Sequence, residues 1–185
     1  MTEINSIDLE GRTVPFTDEG EGPVTLALVT ERALDSDGLG VISHYLAEEA
    51  GFRVIRIGGA GISHEQRAAD AAAVLEHLGI EDSWIGGYGI GGTTARVFAN
   101  AHADRVNGLL LMGAEDVDIA LAPVVPVLFV QGSADEVTPA TNAEKLQATA
   151  PERSSIKTIE GADHFFPVTH PFETGVIIEE YLDWD

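Results

Sequence analysis

Apolar positions along the chain fall into two alternating rhythms. Short runs rich in branched and aromatic residues occur at Val24–Val29, Arg53–Ile57, Trp84–Gly87, Val106–Met112, Val127–Gln131 and Ser155–Ile159. Between them lie longer, often alanine-rich segments whose apolar residues recur every three to four positions: Leu39–Ala50, His64–Leu78, Ile90–Ala101, Thr141–Ala150 and Phe172–Leu182. The first rhythm predicts buried strands and the second predicts amphipathic helices. Their alternation predicts an α/β fold, a mostly parallel twisted sheet with helices on both faces. Residues 6–18 predict two short antiparallel strands, the second at Thr13–Thr17, ahead of a turn at Glu19–Pro23. Ser63 is placed to cap the helix that begins at His64, and Gly79 to end it. No repeat, low-complexity tract or long linker divides residues 1–185, so a single domain is expected.

Composition narrows the function more than the fold. The 185 residues carry 31 acidic side chains against 10 basic ones, a net charge of −21, and the only lysines are Lys145 and Lys157. Such a surface repels phosphate backbones and anionic headgroups, so neither a nucleic acid nor a membrane partner is expected. It suits solubility, including at high salt. A hydrophobic content of 44% is enough for one core, and the absence of cysteine removes disulfides, thiolate catalysis and sulfur-ligated metals. The N-terminus has no basic region followed by an apolar one, and the apolar runs fall short of a membrane span. The expectation is a cytoplasmic protein.

Chemistry concentrates at three turns. Gly87-Tyr88-Gly89-Ile90-Gly91-Gly92 follows one expected strand and opens one expected helix. Its mid-chain position and spacing do not fit a dinucleotide loop, and it lacks the Gly-Lys-Ser/Thr of a Walker loop, so no cofactor is expected. What remains is a tight strand-to-helix turn of the nucleophile-elbow kind, with position 89 at its apex. Asp135 lies just beyond the Val127–Gln131 strand, in a turn closed by Pro139. His164 follows the last strand, with Gly161 and Ala162 before it and Phe165 and Phe166 after it. His44, His64, His77, His102 and His170 show no metal-ligand spacing, so no metal site is expected.

The order of elbow, acid and histidine resembles the α/β-hydrolase superfamily over nearly the whole chain, most specifically at residues 85–99, 126–139 and 160–166. The resemblance implies an α/β-hydrolase fold with Asp135 as triad acid, His164 as triad base, Gly89 in the nucleophile position and the Ile90 amide as an oxyanion donor. It also identifies the departures. Gly89 supplies no attacking atom, so no covalent acyl-enzyme forms there. Where the family commonly has His-Gly, whose loop carries the second oxyanion amide, this chain has Thr30-Glu31-Arg32. Only Gly113–Val125 separates two strands between which a cap domain usually enters, so an open, capless site is expected.

Bland readings accompany these residues. Gly89 relaxes a strained turn, and the Asp135–His164 pair ties two loops. Tyr88 is a rim or core aromatic that could also donate to a bound oxygen, Thr93 and Thr94 face away from the pocket, and Trp84 belongs to the core. Three functional readings follow. The first is a non-hydrolytic pseudoenzyme that acts as a binding or assembly subunit, and the joint loss of nucleophile, His-Gly and cap places it ahead. The second is a non-covalent general-base enzyme, a lyase, isomerase or water-activating catalyst, using His164 and Asp135. The third is a serine esterase or lactonase carrying an engineered Ser-to-Gly change at position 89. The open acidic rim beside Phe165 suits a small neutral or cationic ligand, and either a protein partner or a second copy of the chain would cover it.

Overall fold

The computed structural model describes residues 2–59 and 63–183. Eight strands form one sheet in the order β1-β2-β4-β3-β5-β6-β7-β8. β1 (Asn5–Leu9) and β2 (Arg12–Glu19) make the antiparallel edge. β3 (Thr25–Val29), β4 (Arg53–Ile57), β5 (Ser83–Tyr88), β6 (Val106–Met112), β7 (Val127–Gly132) and β8 (Ser154–Ile159) run parallel to one another. The helices are α1 (Gly40–Glu48), α2 (His64–His77), α3 (Ile90–Ala101), α4 (Ala140–Gln147), α5 (Phe166–Thr169) and α6 (Pro171–Leu182).

Strand alternation sorts the core into two layers. On β3, Leu26 and Leu28 pack with Ile42 and Leu46 of α1 and Ile178 of α6. Ala27 and Val29 turn the other way, toward Ala71 and Val74 of α2 and Ala95 and Phe98 of α3. A period of two along each buried strand thus feeds both layers, which is why the middle strands read as nearly continuous apolar runs.

Several boundaries differ from expectation. β2 extends beyond Thr13–Thr17 because it bridges two partners, pairing with β1 at one end and β4 at the other. α4 stops at Gln147 rather than Ala150; the chain there tightens into turns, with the Thr149 and Ala150 amides donating to Leu146 and Gln147, just before Pro151. Two 3-10 turns, Leu34–Ser36 and Ala103–Arg105, and the single turn of α5 were not legible as periodic segments. Ser63 does cap α2, its hydroxyl accepting from the Gln66 amide at 3.1 Å. Trp84 is only half-buried, edge-on to Tyr181 at 5.8 Å between ring centroids, a correction to its expected core position.

The connection from β6 to β7 contains no helix. Its carbonyls are held instead by polar side chains spaced along α3. The Arg96 guanidinium, about 1% exposed, donates to the carbonyls of Glu115, Val117 and Ile119. Asn100 donates to the Ala120 carbonyl at 2.8 Å, and the Thr93 hydroxyl donates to the Glu115 carboxylate. Within the crossover the only backbone pairing seen among these residues is the Ile119 amide donating to the Val117 carbonyl at 2.9 Å, so such side-chain donors hold most of its carbonyls. With so short and tightly held a crossover, no cap domain is present among the described residues.

Candidate active site

The site assembles at the carboxyl ends of β5 and β7 and in the loop after β8, where open α/β sheets place their ligands. Gly89 stands between β5 and α3 with φ 57° and ψ −117°, a conformation that costs little only for glycine. Its amide donates to the Met112 carbonyl of β6, at 2.9 Å. Gly91 lets α3 start this close to the sheet, since a Cβ there would lie 2.2 Å from the Val29 carbonyl oxygen. No side chain caps α3, so its first amides, that of Ile90 foremost, lack a capping acceptor.

Asp135 is 5% exposed and heavily held. Its Oδ1 accepts from the amides of Val137 and Thr138, at 2.9 and 2.8 Å, and its Oδ2 accepts from the Thr138 hydroxyl at 2.8 Å. The same Oδ2 lies 2.9 Å from His164 Nδ1. A fixed carboxylate on Nδ1 orients the imidazole and leaves Nε2 as its working nitrogen. That nitrogen is 3.7 Å from where a Cβ on Gly89 would stand. The structure therefore brings Gly89, Asp135 and His164, some 75 residues apart in sequence at the extremes, into one constellation.

The surrounding residues sort differently from the sequence reading. Tyr88 was a candidate donor to a bound oxygen, but its hydroxyl already donates to the His164 carbonyl at 2.6 Å, and its ring stacks on the imidazole. Burial, and then the negative charge of Asp135, push that hydroxyl up to about 12. Thr30, which stands where the family commonly has His-Gly, continues the sheet, its amide donating to the Ile57 carbonyl at 3.0 Å. Its hydroxyl accepts from the Arg32 amide at 3.1 Å, so that loop amide is occupied as well. Glu31 stands beside them, its side chain 25% exposed and 3.4 Å from Arg32 Nε. Phe165 is exposed and edge-on to His164 at 6.0 Å, a rim position. Thr94 faces α2, within 2.8 Å of His64 Nδ1, and Thr93 faces the crossover. Asp163 holds its own turn, accepting from the Phe165 amide at 2.9 Å.

Sequence reasoning missed Thr138, whose hydroxyl lies between Asp135 and His164, 3.1 Å from Nδ1. Its place three residues after the acid was the available signal. Among the described residues, no group of three or more His, Asp or Glu side chains could hold a metal ion, and no helix is long and apolar enough to cross a membrane.

A mixed sheet with a sharp strand-to-helix turn at its centre, an acid after β7 and a histidine after β8 defines the class of α/β-hydrolase-fold proteins. Residues 52–166 match the alpha/beta hydrolase family, and the chain belongs to it. The fold is shared with a thermophilic esterase from Thermogutta terrifontis, at a TM-score of 0.80 and 19% identity over 98% of each chain. It is shared also with CarC, a serine hydrolase involved in carbazole degradation, at a TM-score of 0.84 and 17% identity over the whole of both chains. A predicted CIB-like hydrolase from Thermoplasma acidophilum gives a TM-score of 0.77 and 20% identity over 98% of each chain. No match was found among curated proteins.

Proposed function

We propose that the protein is a general-base catalyst of the α/β-hydrolase fold that acts without a covalent intermediate. The observation that carries this reading is the intact base beside an empty apex: His164 Nε2, oriented through Nδ1 by Asp135, faces the space above Gly89. That space is the room a nucleophile side chain would take, and in the proposed reaction a water molecule occupies it. In the proposed step, Nε2 takes a proton from this water as its oxygen attacks a substrate carbonyl carbon. The Ile90 amide, at the positive end of α3, stabilises the oxyanion, and the imidazolium then returns the proton to the leaving group. Positioning of Asp135 by three further hydrogen bonds supports a working base more than a simple loop tie, which would not need Nε2 kept on the open side.

A second reading, a binding or assembly subunit without turnover, is favoured by one observation. The Thr30 and Arg32 amides are both occupied and Glu31 adds a carboxylate beside them, so the second oxyanion donor is not supplied by either residue. Hydrolysis of p-nitrophenyl acetate by the native chain and by His164→Ala separates the two. General-base action predicts steady turnover with no burst, lost in His164→Ala. Equal rates from both proteins would refute it and leave the binding reading.

A further inference from the structure

We propose that the recess between the start of α1 and α5 is a second binding site, which takes a small carboxylate bearing a short apolar group. The recess has a volume of about 290 Å³, and Gly40 and Val41 of α1, Arg56 of β4 and Val168 of α5 line it. None of Gly89, Asp135 or His164 does. Arg56 is 7% exposed, yet its guanidinium is only partly engaged. Nη1 donates to the Leu34 carbonyl at 2.9 Å and to both oxygens of Asp37, at 3.0 and 3.1 Å. Among the described residues, Nε and Nη2 have no acceptor. Buried donors are rarely left so, because their lost hydration is not repaid. A second set of donors meets them. α1 starts at Gly40 and no side chain caps it, so its positive end and its first unpaired amides front the same space as Arg56. The two elements are close: a Cβ on Gly40 would lie 3.9 Å from Arg56 Nη1.

The donors and the walls select the ligand. The Nε–Nη2 edge of a guanidinium presents two parallel N–H groups, which match the two oxygens of a carboxylate. Amides at a helix N-terminus add donors that favour the same negative group. Two acids limit how much charge the recess accepts. Asp37 is paired with Arg56 and also accepts from the Leu39 amide at 2.9 Å, so its carboxylate is already engaged in the wall. Asp35 is exposed on the 3-10 turn that borders the recess, where water screens it. A single negative charge is offset by the guanidinium edge and the helix end, whereas a divalent anion such as sulfate meets repulsion from Asp35 and Asp37 twice over. Leu34, Val41, Pro167 and Val168 offer apolar wall that a short alkyl chain covers and an inorganic anion does not.

The test is an NMR titration of the backbone amide signals of the native chain with sodium butyrate, beside its neutral isostere butyramide and sodium sulfate at matched ionic strength. Butyrate is expected to shift the Gly40 and Val41 signals saturably, and the other two to bind at least about tenfold more weakly. Arg56→Lys keeps a cation beside Asp37 but lacks the Nε–Nη2 edge, and should weaken butyrate binding by about tenfold or more. Unshifted Gly40 and Val41 amides, butyramide or sulfate binding as tightly as butyrate, or an unchanged affinity in Arg56→Lys overturns the proposal. Should Arg56→Lys fail to fold by circular dichroism, Val168→Trp narrows the recess from an exposed position, leaves the Arg56–Asp37 pair in place and carries the same expectation. Binding is read without turnover, so the result does not depend on the general-base reading of His164.

Discussion

Gly89→Ser tests the two properties of the elbow at once, its backbone strain and its alignment with the base. With φ at 57° and ψ at −117°, any side chain at position 89 is strained, at a cost of about 1–3 kcal/mol. In a domain of this size that lowers Tm by roughly 2–12 °C. Steric clash adds nothing further, because the nearest atom to the new Cβ is His164 Nε2, at an ordinary 3.7 Å. A hydroxyl oxygen about 1.4 Å beyond that Cβ reaches hydrogen-bonding range of Nε2, in the roughly 2.6–3.2 Å window a nucleophile and base require. The variant should therefore lose stability while gaining a burst of p-nitrophenolate from p-nitrophenyl butyrate. With the Thr30 and Arg32 amides occupied, loss of the second oxyanion donor would make the gained rate trail a complete site by about 10²–10³. Scanning calorimetry and stopped-flow absorbance on Gly89→Ser, with and without His164→Ala, measure both effects. An unchanged or higher Tm would refute the strain argument, and absence of a His164-dependent burst would refute the alignment argument.

Three other perturbations test the scaffold. Arg96→Met removes the guanidinium that the carbonyls of Glu115, Val117 and Ile119 share and should destabilise the protein by about 1–3 kcal/mol, read by urea denaturation. Limited proteolysis should then cut first between β6 and β7; an unchanged urea midpoint would count against the pinned crossover. Val124, 88% exposed with φ 59°, is a β-branched residue in a conformation suited to glycine, so Val124→Gly should stabilise by roughly 0.5–1 kcal/mol in the same assay. The Tyr88 hydroxyl, raised by burial and by Asp135 to about 12, stays protonated in the folded state while the unfolded chain ionises near 10. The folded form then binds more protons, so stability falls as pH rises from 10 to 12, and Tyr88→Phe should flatten that fall in an alkaline melting series.

Much of the site was legible because its determinants are local. A glycine-rich hexad after an apolar run forces a sharp turn whatever surrounds it, and Asp135 and His164 each sit in a turn with its own proline, glycine or aromatic markers. The hydrogen-bond partners of Thr30 and Tyr88 were not legible, for the opposite reason. Whether an amide or hydroxyl is free depends on its partner, and here the partners are Ile57, 27 positions from Thr30, and the carbonyl of His164, 76 positions from Tyr88. Trp84 shows the same limit: its aromatic character predicted burial, but it lies near the amino end of β5, where it is only half covered.

By itself the sequence determined the alternation of strands and helices, the short crossover after Met112 and the absence of a side chain at position 89. Each follows from periodicity, segment length or residue identity. Only the tertiary structure decided which groups meet. The parallel order of β5, β6 and β7 brings the elbow, the acid turn and the histidine loop to one end of the sheet. Packing of α3 against β3 through Gly91 sets the depth of the elbow, and α3's polar face replaces the missing crossover helix with side-chain donors. Spacing along a chain specifies local turns, whereas hydrogen bonds between distant segments depend on how those turns are packed together.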